Sequence, residues 1–451
     1  MNNSYWWQSL PEWKPLAPVV SDEEFDVIII GAGYTGLWSA YFLLQAQPDI
    51  KIGIVESNHA GYGASGRNGG WVSSFWPASL EKISKSHSKE IAVVFQNLLH
   101  QLVIDFGHTL RSAGIDADFQ HAGTINLART QPQLDRLNRE LKEYRNFGFT
   151  VDDYDLISNP ELLPRATNVL AGLTTPHCAS IHPAKLVREL AKVVINQGAR
   201  IFENSTVTQV AAGKVKVNNY TISAKQIIVA TEGYSHEINP RVTAPIHSLM
   251  FVTSPIPEDL LNVLRLKPGI TFNDARNLII YGQRTKDNRI AFGGRGAPYR
   301  FGSETGTRAE YYQPAFNYLQ NALIEMFPQL TDYVNQATHT WGGPIGVARD
   351  WQPSLTYNHD TGISRAGNYV GDGVLAAYLA GQTLADILLS KVTDRTNLPW
   401  INHKSRKWEI EPFRYLLINA ARVTIDLADK LESRAGKETN LTRLLWRLLK
   451  G

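Results

Sequence analysis

The sequence predicts an α/β fold, α+β overall. A parallel-sheet domain is interleaved with an antiparallel-sheet domain, and a helical tail follows. Three observations carry this reading. Residues 25–55 run as a strand, a glycine turn, a helix and a second strand, with no charge between 27 and 48. Short strands of antiparallel type recur between residues 246 and 294. Beyond Pro412, apolar residues recur at helical spacing.

Residues 25–30 (FDVIII) read as a strand buried on both faces, 33–46 as a helix and 51–55 (KIGIV) as a second strand. Together they make a βαβ unit of about 30 residues. Residues 27–48 are uncharged and long enough to cross a membrane. Glycines at 31, 33 and 36 cut that stretch as a strand-to-helix turn would, so a spanning helix is rejected. Residues 61–70 form a glycine-rich loop, 80–114 are mostly helical, 121–128 are a strand, and 131–146 are a charged surface helix. Residues 183–197 are an amphipathic helix ended by Gly198. Strands are expected at 199–203, 206–210, 214–217 and 226–230, and antiparallel strands at 246–254, 277–281 and 289–294. Helices are expected at 310–327 and 373–389.

In the tail, Phe413, Leu416, Leu417, Ala420, Leu427 and Leu431 form a helical stripe that Gly436 ends. Leu441, Leu444, Leu445, Leu448 and Leu449 form a second, short stripe with Arg443, Arg447 and Lys450 between. Residues 400–451 carry eleven Lys/Arg against six Asp/Glu, so the tail holds the chain's whole positive excess. The expected division is an arm at 1–24 and a tail at 400–451. A first domain takes 25–115, 166–240 and 336–399; a second takes 116–165 and 241–335.

The chain's 451 residues suggest two to three domains. With 43% hydrophobic and 19% charged residues, disorder as the main state is excluded. A net charge of +3 argues against nucleic acid as partner. The single cysteine, Cys178, excludes an internal disulfide, a multi-cysteine zinc site and a cysteine-bound iron–sulfur cluster. No metal is expected. Residues 1–18 lack the basic and apolar regions of a secretory signal, and a cytoplasmic location is expected.

The strongest motif is Gly31-Ala32-Gly33-Tyr34-Thr35-Gly36. It follows a strand and opens a helix, and Glu56 ends the next strand 20 residues after Gly36. That is the context of a Rossmann-like dinucleotide fingerprint. Backbone near Gly33 would approach a pyrophosphate at the helix N-terminus, and Glu56 would accept bonds from an adenosine ribose. Three later features favour FAD over NAD. Ala64-Ser65-Gly66-Arg67-Asn68-Gly69-Gly70 suits a long, extended phosphate-bearing cofactor. A buried strand at 227–229 ends in small residues before Thr231. Gly371-Asp372-Gly373-Val374 opens the last long helix, where Asp372 could bind ribityl hydroxyls or simply cap the helix. Ser57 and Val207 complete the expected cofactor set.

GAGYTG, GASGRNGG, GGRG (293–296), WGGPIGVARD (341–350) and YVGDGV (369–374) stand in this order over about residues 25–395. They resemble the D-amino-acid-oxidase superfamily of FAD enzymes. RNGG is similar to that of gamma-glutamylputrescine oxidoreductases and related amine-oxidising proteins. The resemblance implies a FAD domain roofed by an antiparallel sheet. It also implies hydride transfer from a carbon next to nitrogen, giving an imine that water hydrolyses. Two departures stand out. Many relatives have His where Asp372 stands. Ala291 occupies the place of a lysine that activates oxygen in monomeric sarcosine oxidases, so slow reaction with oxygen is expected. The His or Cys that tethers FAD in some relatives, near Arg67 or Trp341, is missing, which implies non-covalent FAD.

The candidate substrate-side residues are Trp71, Tyr281, Arg295, Trp341 and Arg349. An arginine could clamp a carboxylate or sit in an ion pair; Trp341 could wall a pocket or pack in the core. Arg67 could stabilise negative charge on reduced flavin or neutralise phosphate. No catalytic base is assigned. The leading function is a FAD-dependent oxidoreductase acting on a small-molecule amine or amino acid, with oxygen or a quinone or other carrier as acceptor. A dehydrogenase at a membrane surface and a non-catalytic FAD-binding assembly protein are the alternatives. The tail helix could lie on a membrane, or dock on this protein or a second subunit.

Overall fold

Strand Glu23–Ile30 sits at the centre of a mainly parallel sheet in the computed structural model, which describes residues 4–439. It pairs in parallel with Ile52–Val55 on one side and Tyr220–Val229 on the other. Arg200–Phe202 and Ile363–Gly367 extend these flanks in parallel, and Ser354–Asn358 closes one edge antiparallel. Alternation along the central strand serves two cores. Val27 and Ile29 pack under helices Tyr34–Ala46, Lys89–Ser112, Pro183–Asn196 and Gly373–Leu388. Ile28 and Ile30 pack under the antiparallel strands Val207–Ala211 and Lys214–Val217. The uncharged stretch at 27–48 is thus a strand and a helix buried in the interior. No described helix is long and apolar enough to cross a membrane.

The second sheet has eight strands, in the order His339–Val347, Ala244–Val252, Ile290–Gly294, Ile280–Arg284, Thr271–Asp274, Thr124–Ala128, Ala171–Thr175 and Asp155–Ile157. Only the pair of Thr271–Asp274 with Thr124–Ala128 is parallel. Leu249, Phe251, Phe272, Ile280 and Phe292 bury one face against helix Gln313–Met326. Tyr281 and Gln283 alternate to the other face, where they meet Gly69 and Gly70 of the first domain. Cross-strand register places Gly293 and Ala291 opposite them.

Two segments pair differently from the sequence expectation. Ala171–Thr175, expected within 166–240 of the first domain, pairs with Thr124–Ala128 in the second sheet. His339–Val347, expected within 336–399 of the first domain, is an edge strand of the second sheet. Both lie close to chain crossings between the domains, where local sequence carries no pairing information. The stretch 80–114, expected to be mostly helical, forms two helices, Leu80–Ser86 and Lys89–Ser112; Ser88 caps the second by accepting from the Ile91 N–H.

The arm is tied down by its aromatic residues. The Trp6 indole N–H donates to the Asn68 carbonyl at 2.9 Å, the Tyr5 hydroxyl to Asp287 at 2.6 Å, and the Trp13 indole to Glu203 at 3.0 Å. The tail helix Phe413–Ala435 ends at Gly436, whose φ of 63° is left-handed. The short stripe Leu441 to Leu449 lies outside the described residues.

Candidate cofactor and substrate site

A cleft of about 1240 Å³, open to solvent, runs along the carboxyl ends of the parallel strands. Its lining includes Gly31, Gly33, Tyr34, Thr35, Glu56, Ser57, Ala64, Ser65, Asn68, Val207, Thr231, Gly371, Gly373 and Val374, each expected from sequence.

The turn at one end is built for a close ligand. Gly31 has φ +104°, and a Cβ there would lie 2.6 Å from the Ala230 carbonyl oxygen. A Cβ on Gly36 would strike the Gly31 carbonyl oxygen, so strand and helix can meet only without it. Helix Tyr34–Ala46 starts at Gly33 with no side-chain cap of its own; the Tyr34 N–H donates instead to Ser65 Oγ at 2.9 Å. An anion is favoured at such a helix N-terminus. Ala32, Gly36, Gly66, Gly69 and Gly70 support this geometry from behind and do not line the cleft.

Glu56 Oε2 accepts from the Ala32 N–H and Oε1 from the Asn58 N–H, both at 3.0 Å. Burial pushes its proton affinity up, and these bonds hold it down. Oε1 also accepts from the Ser57 hydroxyl at 3.3 Å, and Oε2 keeps a further lone pair for a ribose hydroxyl. Asn68 fastens the glycine-rich loop, donating to Ala64 and Ser65 carbonyls and accepting from the Gly70 N–H at 2.7 Å. A glycine cradle, an anion-ready helix end and a carboxylate beside the adjoining strand fit the pyrophosphate and ribose of a dinucleotide such as FAD.

Arg67 does not line the cleft. It is 5% exposed and pairs with Glu310 at 2.7 Å, with further bonds to the Gly342 carbonyl and the Tyr234 hydroxyl. Its charge is therefore committed to a buried ion pair between the domains, a role the sequence expectation did not include. Trp341 is 2% exposed, donates to the Arg67 carbonyl at 2.8 Å and packs edge-on to Trp6, so it is core rather than pocket wall. Arg349 pairs with Glu409 at 3.0 Å over the Trp408 ring, which is the ion-pair alternative.

Trp71, Tyr281 and Arg295 stay together. The Trp71 and Tyr281 rings meet edge-on at 6.3 Å, and the Tyr281 hydroxyl lies 2.8 Å from Ser248 Oγ. Arg295 donates to the Val370 carbonyl at 2.6 Å, beside Gly371. Asp372 opens helix Gly373–Leu388, yet its side chain makes no cap bond, and it is not among the cleft-lining residues. The plain-cap reading therefore fails. Asp372 is felt electrostatically by Arg295, Tyr281 and Cys178, which places it toward the second sheet rather than along the pyrophosphate end. Burial pushes its carboxyl up to about 7, and Arg295 holds it from rising further.

Several lining residues escaped the sequence reading: Tyr62, Tyr234, Pro344, Ile345, Tyr369 and Glu232. Glu232 is buried and accepts from the Tyr369 N–H at 2.9 Å and from the Gly346 N–H, joining three cleft segments. A carboxylate directly after a buried strand was the available signal. His182 caps helix Pro183–Asn196, accepting from the Lys185 N–H. Cys178 is buried and free, its thiol pushed up to about 12 by burial. Among the described residues one group, His100, Asp153 and His177, brings metal-type ligands together. The two imidazoles stack face to face at 3.5 Å, so one ion cannot lie in both ring planes as they stand.

Comparisons with known proteins agree with this geometry. Residues 26–387 match the DAO family, described as FAD dependent oxidoreductase. A gamma-glutamylputrescine oxidoreductase of Escherichia coli (strain K12) is 27% identical over 400 residues, covering 86% of this chain and 88% of that protein. A probable oxidoreductase OrdL of Rhizobium meliloti (strain 1021) is 26% identical over 407 residues, covering 86% and 89%. The crystal structure of glycine oxidase from Geobacillus kaustophilus superposes with a TM-score of 0.69 at 20% identity, over 85% of this chain and all of that one, which shows a shared fold.

Proposed function

The chain belongs to the DAO family of FAD dependent oxidoreductases, and we propose that it oxidises a C–N bond of a small amine or amino acid to an imine. The carrying observation is the group Tyr281, Arg295 and Asp372, which Arg295 ties through the Val370 carbonyl to the cleft-lining Gly371, with Trp71 edge-on to Tyr281. FAD, bound without a covalent tether, would supply a hydride acceptor for the carbon next to the substrate nitrogen.

The chain's own residues would divide the remaining work. Gly31 to Thr35 and Ser65 hold the pyrophosphate, and Glu56 with Ser57 and Val207 holds the adenosine end. Gly371, Gly373 and Val374 let backbone approach the other end. Trp71 and Tyr281 exclude water and orient the substrate carbon. Arg295 supplies a positive charge for a substrate carboxylate. Asp372, with a proton affinity near neutrality, takes the proton that an ammonium must lose before its C–H can leave with its electron pair.

Ala291 supports a carrier as acceptor over fast reaction with oxygen. It lies buried among Met250, Val252 and Trp341, on the sheet face that meets the RNGG loop, and brings no cation there. The relative acting on gamma-glutamylputrescine supports an amine over a hydroxy acid as substrate. The test is an anaerobic titration of the FAD-loaded protein with amines and amino acids, followed by flavin absorbance. Bleaching by an amine and none by the matching hydroxy compound is expected. No bleaching across alkyl amines, diamines, gamma-glutamyl amines and amino acids would reject the proposal.

A further inference from the structure

The tail helix Phe413–Ala435 is docked the wrong way round for an ordinary surface helix. Its polar side chains face the protein. Asp429 accepts from the Asn277 and Leu278 N–H groups, both at 2.8 Å. Glu432 pairs with Arg136 at 2.8 Å, Asn419 donates to the Tyr299 carbonyl at 3.0 Å, and Arg414 bonds Glu411. The apolar side chains face out. Phe413 is 62% exposed, Leu416 58%, Val423 53%, Leu427 46% and Leu431 36%. At about 100° per residue these positions fall on one stripe, opposite the buried Arg414, Ala428 and Glu432. Single exposed leucines need no explanation, but an apolar stripe over about five turns does.

Charge selects the occupant. The stripe is flanked by Arg434 and by Lys430, which pairs with Asp426 at 2.6 Å, so this flank keeps a net positive charge. Lys437, Arg443, Arg447 and Lys450 follow it in sequence. A second copy docked in parallel would bring Arg434 against its own counterpart. Residues 440–451 add three basic groups and no acidic one. We infer that the outward face of Phe413–Ala435 is an interfacial helix that lays the protein on an anionic lipid surface, with the basic residues at the headgroups and the apolar stripe among the upper acyl chains. This surface contact is independent of the reaction proposed above.

The experiment uses the FAD-loaded full-length protein in co-sedimentation with vesicles of phosphatidylglycerol and phosphatidylcholine, and with vesicles of phosphatidylcholine alone. Light scattering reports the oligomeric state in parallel. Binding at least about tenfold stronger to the anionic vesicles is expected, weakened at about 0.5 M salt. The variant carrying Leu416→Glu and Val423→Glu should lose that binding and keep its FAD content and turnover, since both positions are exposed. Should it fail to load FAD, Arg434→Glu with Lys437→Glu serves, and it should lose the preference for anionic vesicles. Failure of the wild-type protein to sediment with anionic vesicles would overturn the inference. So would undiminished binding by a folded variant. A wild-type dimer that the glutamate variant splits, without vesicle binding, would assign the face to a second copy instead.

Discussion

Replacing Asp372 by asparagine should stabilise the protein at high pH while damaging its chemistry. The carboxyl lies between two glycines at a helix start, makes no cap bond, and is pushed by burial from 3.8 to about 7. Each tenfold change in proton affinity is worth ~1.4 kcal/mol, so the ionised form costs the folded state about 4 kcal/mol at most. The side chain is only half-buried and Arg295 is near, so roughly 2 kcal/mol is the working figure. The folded protein holds this proton more tightly than the unfolded chain. The group's contribution is therefore fully present below about 3.8 and is lost as pH rises through about 7. Asparagine cannot ionise. Denaturant unfolding of Asp372→Asn and the parent should give curves that nearly coincide at low pH and diverge by about 2 kcal/mol by pH ~8, the variant being more stable. Turnover with an amine should fall by roughly a hundredfold, the lower end of the usual range for a lost proton acceptor. The rise of activity with pH through about 7 should disappear with it. A variant with unchanged turnover and a pH-independent stability difference would refute the reasoning and leave Asp372 a structural residue.

Four further outcomes are expected. Glu56→Gln should weaken FAD retention in gel filtration by about 1.5–3 kcal/mol without unfolding the protein; unchanged retention would remove Glu56 from the cofactor site. Acid precipitation should release all the yellow colour to the supernatant, because Cys178 is buried with its thiol pushed up to about 12; colour kept in the pellet would contradict this. Arg295→Met should raise KM for carboxylate-bearing substrates by roughly tenfold or more, whereas Arg349→Met should not, its charge being held by Glu409; equal effects would erase the distinction. Reduced enzyme should reoxidise slowly in air by stopped-flow, and rapid reoxidation would show that Ala291 does not limit the reaction.

What was legible in the sequence was what the chain settles locally. The glycine spacing at 31–36, the strand before it and Glu56 after it form one contiguous βαβ unit, and the structure returns it almost residue for residue. The loop at 64–70 was legible for the same reason: Asn68 closes it through partners two to four residues away. What was not legible depends on distant partners. Ala171–Thr175 and His339–Val347 are ordinary short strands until the sheet that takes them is known. Arg67, Trp341 and Arg349 have the side chains of a binding site, but Glu310, the Arg67 carbonyl and Glu409 claim them from across the fold. Tyr234 reaches the cleft from a segment with no motif. The tail stripe was visible as a period, yet only the structure shows that its polar side is the docked one.

The central claim is that an amine's C–N bond is oxidised at this cleft. A single anaerobic turnover tests it most directly. FAD-loaded protein is mixed with a bleaching amine, quenched, and assayed for reduced flavin, released amine or ammonia, and carbonyl product. One carbonyl and one released nitrogen per flavin reduced are expected, since the imine is hydrolysed by water. Flavin reduced without an equivalent of released nitrogen would contradict it.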